Sequence, residues 1–192
     1  MTMSAQEAIE RLKAGNALFV EESARMGDIT QKRVKQLSQE GQAPYACVVT
    51  CADSRVVPEH LFMVGLGDMF TIRVAGNVIG DMELASCVYA AEHLGVKLIV
   101  VLGHTQCGAV ASALEVLEAG AELEGAMAPL LSSVCTNVGG ERDPQAASIA
   151  NLRAGIAAIE GDSHIAHLIE TAGLYVVPAL YHTEDGTVEF MD

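Results

Sequence analysis

The stretch Lys97-Leu98-Ile99-Val100-Val101-Leu102-Gly103-His104-Thr105-Gln106-Cys107-Gly108 decides the fold. Lys97 to Leu102 reads as the clearest strand of the chain, its apolar run from Leu98 having β-branched residues at the centre, the pattern of a strand buried on both faces. Gly108 to Glu118 follows with helical spacing. Upstream, Ala46-Cys47-Val48-Val49-Thr50 has the same texture, and Met69 to Val74 is a further candidate strand. Between them and the central strand, Asp81 is placed to cap a helix from Met82 to Leu94. Leu84, Val88 and Ala91 line one face of it and Gly95 ends it. Strands alternating with helices at such short spacings predict right-handed crossovers. The expected fold is α/β, a central and mostly parallel sheet flanked by helices.

The rest of the chain extends this pattern. Residues 1–40 read as a polar helical arm: Ala5, Ile9, Leu12, Phe19 and Val20 recur at helical spacing, and Lys32 to Glu40 continues with Val34 and Leu37. Gly41 and Pro44 close it. From Glu118 to Pro144 a Gly- and Ala-rich stretch reads as helix plus loop. Gln145 to Ile159 is a predicted helix, and Ser163 is read as the cap of another that runs to Gly173. Leu174 to Tyr181 is the last core strand. A turn at Glu184-Asp185-Gly186 leads into a carboxyl-terminal edge strand at Thr187–Met191. No repeat or linker divides the 192 residues, so a single domain over 1–192 is expected.

Composition narrows the function classes. With 25 acidic and 11 basic residues the formal net charge is −14, which repels nucleic-acid phosphates and anionic membranes. Aromatic residues are 4% of the chain and Trp is absent, so base-stacking platforms are not expected. Five cysteines, an odd count, do not form a disulfide scaffold and suit thiols kept reduced in the cytoplasm. The start, Met1 to Glu7, has neither a basic region nor an apolar core typical of a leader. No apolar run reaches bilayer length. A cytoplasmic protein with no nucleic-acid or membrane partner is the expectation.

Two segments place metal-ligating residues where strands end: Cys51-Ala52-Asp53-Ser54-Arg55 after one strand and His104-Thr105-Gln106-Cys107-Gly108 after another. In a parallel sheet such ends face the ligand crevice. Two thiolates and an imidazole suit Zn²⁺ by softness and number. Asp53 stands close enough to fill a fourth position or to leave it open. Either cysteine alone would read as a small buried hydrophobe. Cys51 and Arg55 are too close for a cysteine-phosphatase loop. Gly103 to Gly108 has the glycine spacing of a phosphate-binding loop, but Ala109 and Val110 replace its Lys and Ser/Thr.

Cys51-x-Asp53-Ser54-Arg55, followed by His104-x-x-Cys107-Gly108, resembles the zinc-site pattern of the β-class carbonic anhydrases. Further motifs follow in the family's order. They are Ala8-x-x-x-Leu12-x-x-Gly15-Asn16-x-x-Phe19, Gln42-x-Pro44, Val57-Pro58-Glu59, Gly67-Asp68-x-Phe70, Arg73-x-Ala75-Gly76-Asn77 and Val101-Leu102-Gly103-His104-Thr105. Matches run over roughly residues 8–115 and thin out beyond.

The resemblance implies one Zn²⁺ per subunit, held by Cys51, His104 and Cys107. It implies reversible hydration of carbon dioxide to bicarbonate and a proton, by attack of zinc-bound hydroxide. Asp53 and Arg55 would be the catalytic pair, Asp53 accepting a hydrogen bond and Arg55 holding its carboxylate. In an alternative closed state Asp53 would leave Arg55 and ligate the metal. Gln42, Phe70, Ala75 and Tyr89 match the family's substrate pocket, and the Gly108 N–H, opening a helix, is placed to bind an anionic substrate. The position of Cys107, just before a helix, is expected to favour its thiolate. A homodimer or homotetramer is implied, with the 1–40 arm on the partner subunit. Cys47, Cys87 and Cys135 read as packing thiols, and Cys47 is about 13 Å from Cys51 along the strand, too far to share a metal. His164 and His167 read as solvated polar residues, and His60 and His93 are candidate proton carriers. Arg73 and Tyr181 match two positions of a regulatory bicarbonate site, but Val48 replaces its Trp, so that regulation is not expected. Val74 replaces an Asn of some relatives at the pocket edge. Hydrolysis of COS or CS₂ on the same zinc scaffold, and a non-catalytic structural zinc site with four permanent ligands, are the competing readings.

Overall fold

The computed structural model describes residues 3–22 and 26–192, so residues 1–2 and 23–25 of the expected arm lie outside the described residues. Five strands form one sheet: β1 (Ala46–Thr50), β2 (Met69–Arg73), β3 (Leu98–His104), β4 (Tyr175–Tyr181) and β5 (Val188–Phe190). Their order is β2-β1-β3-β4-β5. The first four are parallel and β5 runs antiparallel to β4, as the alternation of strand and helix patterns requires. The chain leaves β1 toward β2 and then returns to the other side of β1 for β3. The crevice at the carboxyl ends of β1 and β3 is therefore the point where strand order reverses.

Pleating divides the core. Ala46, Val48, Leu98, Val100 and Leu102 face one side, where they meet Ala5, Ala8 and Leu12 of helix α1 (Ala5–Val20). Cys47, Val49, Ile99 and Val101 face the other. There they pack against α4 (Asp81–Glu92), α7 (Pro144–Glu160) and α8 (Ser163–Ala172). A third cluster joins Cys51 and Cys107 to α5 (Gly108–Ala119) and α6 (Ala128–Val138). The arm's second helix, α2 (Gln31–Glu40), buries none of its residues. No described helix is long and apolar enough to cross a membrane.

Two expected caps move by one residue. Gly80, not Asp81, caps α4, because Glu83 reaches back to accept from the Gly80 N–H at 3.1 Å. Asp162, not Ser163, caps α8, since its carboxylate reaches the N–H groups of both His164 and Ile165. The Val57-Pro58 motif opens a one-turn helix, α3 (Pro58–Leu61), that the strand-and-helix reading does not anticipate. Asn16 ties three parts together. Its Nδ2 donates to the carbonyls of Leu61 and Gly186, and its Oδ1 accepts from the Val188 N–H.

Candidate metal centre

Cys51 directly follows β1, His104 ends β3, and Cys107 caps α5. Because β1 and β3 are hydrogen-bonded neighbours with Thr50 opposite Leu102, the two loops meet. One ligand atom from each of Cys51, His104 and Cys107 lies within 4.8 Å of the others. All three residues are buried. His104 Nδ1 lies 2.9 Å from the Thr105 carbonyl, which can only accept, so Nδ1 carries the hydrogen. That leaves Nε2 with a free lone pair, and this buried atom has no hydrogen-bond partner among the described residues. An orphaned imidazole nitrogen facing two thiols fits a soft divalent metal, with the other ring nitrogen anchored as metal-binding histidines require.

The two thiols are pushed in opposite directions by their contact. The Cys51 thiol is drawn down to about 4 by the hydrogen bond from Cys107, with help from the N–H groups of Asp53 and Gly76, against the opposing effect of burial. Those N–H groups lie 3.4 and 3.3 Å from Cys51 Sγ. Cys107 moves in the opposite direction, because it faces the Cys51 thiolate and is buried. The expected helix effect on Cys107 exists: the N–H groups of Ala109 and Val110 favour its thiolate, but the neighbouring negative charge outweighs them. A cation between the two sulfurs removes that conflict.

Asp53 lies outside the ligand trio. Arg55 holds it with Nε to Oδ1 at 3.0 Å and Nη2 to Oδ2 at 2.8 Å, and the Arg55 N–H adds a third bond at 2.9 Å. This contact holds the Asp53 carboxyl at about 2. Arg55 Nη2 also reaches the Gln106 carbonyl at 3.1 Å, joining the two ligand loops. Gln106 adopts φ +56, a left-handed conformation that turns its carbonyl to that contact. Arg73 braces the first loop through the carbonyls of Cys51 and Asp53.

The residues expected to line the pocket divide. Ala75 opens a short 3-10 turn whose next N–H touches Cys51, and Gly108 is the exposed first residue of α5 beside Cys107. Both belong to the metal end of the sheet. Gln42 is exposed and precedes β1, at the opposite end of that strand from Cys51. Phe70 pairs in register with Cys47, four residues back from Cys51, and stacks at 6.1 Å on Tyr89. Tyr89 is 46% exposed beside the open β2 edge. Within one chain these three do not join the trio. Cys47 and Cys87 are free thiols buried in one core cluster, and Cys135 Sγ donates to the Ala113 carbonyl, consistent with packing roles. His164 pairs with Glu92 at 2.8 Å, and His93 lies 5.1 Å from the Tyr89 ring.

A family model described as carbonic anhydrase matches residues 46–188, from β1 to β5 and through both ligand loops. The chain belongs to the carbonic anhydrase family. It is 43% identical over 131 residues to a carbonic anhydrase of Mycolicibacterium smegmatis, covering 68% of this chain and 63% of that protein. Over 98 residues it is 47% identical to carbonic anhydrase 2 of Mycobacterium tuberculosis, covering 51% of this chain and 47% of that one. These matches thus span less than two thirds of either relative's own length. A β-carbonic anhydrase of Aspergillus fumigatus superposes with a TM-score of 0.72 at 26% identity, over 97% of this chain and 90% of that one. A β-carbonic anhydrase of Sordaria macrospora, described as tetrameric, shares the fold with a TM-score of 0.70 at 24% identity, over 83% and 91% of the two chains. The class is therefore β.

In this β-carbonic anhydrase fold two groups around the centre escape sequence reading. Glu184, on the turn between β4 and β5, accepts from Thr105 Oγ1 and Gln106 Nε2 and so pins the second ligand loop. Asn137 and Asn151, on α6 and α7, connect to the turn that touches Cys51. The available signal was an asparagine on the apolar face of a predicted helix, where it is a poor helix former and needs a buried partner.

Proposed function

We propose that this chain catalyses the reversible hydration of carbon dioxide to bicarbonate and a proton at a zinc ion held by Cys51, His104 and Cys107. The observation that carries the reading is the buried trio with its unpartnered His104 Nε2, beside an Asp53 carboxylate kept free of it by Arg55. Bound zinc supplies the Lewis acidity that brings the ionisation of water toward neutral pH. Asp53, ionised throughout the physiological range, offers a carboxylate oxygen that accepts a hydrogen bond from the attacking water and orients it. Arg55 fixes that oxygen through a two-point grip. The exposed Gly108 N–H, at the amino end of α5, is available to a bicarbonate oxygen. Three ligands and a restrained Asp53 favour an open centre over a structural site with four permanent ligands.

The open β2 edge and its Phe70–Tyr89 pair suit a second copy of the chain, whose Gln42, Phe70 and Tyr89 would complete this subunit's pocket. A dimer or tetramer follows from that reading; α1 of the arm packs on its own sheet, which leaves α2, with no buried residue of its own, for the partner subunit. A reducing cytoplasmic setting suits the site, because Cys51 and Cys107 must remain thiolates to hold the metal.

The test is zinc analysis with stopped-flow carbon dioxide hydration across pH, on the unsubstituted chain and Asp53→Asn. Stoichiometric zinc with hydration that falls in Asp53→Asn is expected. Stoichiometric zinc without hydration at any pH overturns the assignment, and COS or CS₂ turnover would then identify the substrate.

A further inference from the structure

A line of hydrogen bonds enters the metal centre from the helices behind it. Asn137 Nδ2 donates to Asn151 Oδ1 at 2.9 Å, and Asn151 Nδ2 donates to the Gly76 carbonyl at 2.7 Å. The Gly76 N–H in turn donates to Cys51 Sγ at 3.3 Å. The polarity of the line is set by its end. A carbonyl only accepts, so Asn151 presents its amino group to Gly76 and its oxygen to Asn137, which must donate. Asn151 is 1% exposed, in the interior of α7. A carboxamide so deeply buried is costly unless both of its ends are paired, and here both are.

Its target is a constrained turn. Gly76 has φ +68 and ψ 13, and Asn77 follows at φ +43, so two successive residues occupy the left-handed region. A Cβ on Gly76 would come within 3.1 Å of Ala109 Cβ and 3.3 Å of Val134 Cγ2. Such a backbone persists only where its surroundings over-determine it. Among the described residues, the Asn151 amide is the one side-chain donor to this turn. It fixes the Gly76 carbonyl toward α7, and with it the orientation that sends the Gly76 N–H to Cys51. That N–H is one of two backbone amides on the sulfur, the other being Asp53.

We propose that Asn151 is a positioning residue for the ligand Cys51, acting through Gly76, and that Asn137 anchors the oxygen end of its amide. The inference rests on the metal reading above. Amide donors on a thiolate withdraw charge from the sulfur and aim its remaining lone pairs, so they set how strongly Cys51 binds and how electrophilic the metal remains. Loss of Asn151 frees the turn and loosens the aim of the Gly76 N–H, one of the two donors.

The test uses cobalt(II) and zinc on the full chain, read by the thiolate-to-cobalt charge-transfer absorption and by zinc affinity in competition with a chelator. Asn151→Ala is expected to weaken zinc binding by about tenfold to a hundredfold and to shift the cobalt absorption. Ile159→Ala, an equally buried truncation on the same helix in another core cluster, is expected to lower stability but leave both readouts unchanged. A folded Asn151→Ala chain with unchanged absorption and affinity overturns the proposal, as does an equal loss in Ile159→Ala. Should Asn151→Ala not fold, Asn137→Ala carries the test. A loss in the same direction supports the proposal there, and no change overturns it. Failure of the unsubstituted chain to take up either metal overturns the metal reading itself, an outcome distinct from metal uptake with insensitive variants.

Discussion

Arg55 grips Asp53 through both carboxylate oxygens, at 3.0 and 2.8 Å, and with the same guanidinium reaches the Gln106 carbonyl of the opposite ligand loop. The pair thus does two things at once: it restrains the carboxylate beside the metal centre and joins the loop after β1 to the loop after β3. Removing the guanidinium frees Asp53 while leaving Cys51, His104 and Cys107 in place. In Arg55→Ala, carbon dioxide hydration is expected to fall by about tenfold or more. Zinc content should stay stoichiometric. Stopped-flow rates set beside metal analysis of the same sample check this, and a rate equal to the unsubstituted chain would show that the grip has no catalytic role.

Ligand removal has a different signature. Cys107→Ser leaves a hydroxyl that is not deprotonated at neutral pH and takes one of two soft donors from the centre. Zinc content after dialysis against a chelator is expected to drop far below one per chain, with hydration lost in parallel. His104→Ala should do the same, since His104 Nε2 has no other partner among the described residues. Retained stoichiometric zinc in either variant would remove that residue from the ligand set.

Gly15 lies in α1 against α3, where an added Cβ would fall 2.0 Å from the Phe62 carbonyl oxygen. Alanine is the better helix former, yet here it must push α1 away from the end of α3. Gly15→Ala is expected to destabilise the chain by about 1–3 kcal/mol, as overpacking does. Denaturant unfolding measures it, and a neutral or stabilising result would show that α1 is not seated as described.

Tyr45 is buried beneath Arg11, whose guanidinium lies 4.2 Å above its ring, and its hydroxyl has no partner among the described residues. Burial pushes its ionisation up to about 12. The unfolded chain ionises nearer 10, so this contribution to stability is complete below pH 10 and is lost as pH rises through about 12. Tyr45→Phe should abolish that alkaline loss. It should also stabilise the chain at neutral pH by about 1 kcal/mol, by removing an unpaired buried polar group. Ultraviolet titration of tyrosinate with unfolding curves at neutral and alkaline pH tests both; a normal Tyr45 titration contradicts the burial.

Legibility followed the distance between the residues concerned. Cys51, Asp53 and Arg55 fall within five residues, and His104 and Cys107 within four, so each half of the centre is a local pattern. The strand read at Lys97–Leu102, observed at Leu98–His104, was readable for the same reason, because a run buried on both faces needs no knowledge of its neighbours. The caps were less so. Gly80 against Asp81, and Asp162 against Ser163, turn on which carboxylate bends back to a free N–H, a matter of rotamers. Asn151 was invisible as a functional residue, since its partners Gly76 and Asn137 lie 75 and 14 positions away.

The amino-acid order alone determined which chemistry is available, two thiols, an imidazole and a carboxylate–guanidinium pair, and that these residues stand at strand ends. Only the tertiary structure decided that they meet. Cys51 reaches His104 because β1 and β3 pair in a register that sets Thr50 opposite Leu102. That register is chosen by burial, with Val48 and Val100 on the α1 side and Val49 and Val101 on the α7 side, and a one-residue slip would reverse both faces. The same register holds Phe70 four residues short of the centre. Residues adjacent in the family's motif order therefore separate here: Ala75 and Gly108 stand at the metal end of the sheet, Gln42 beyond the start of β1, and Phe70 and Tyr89 on its open edge.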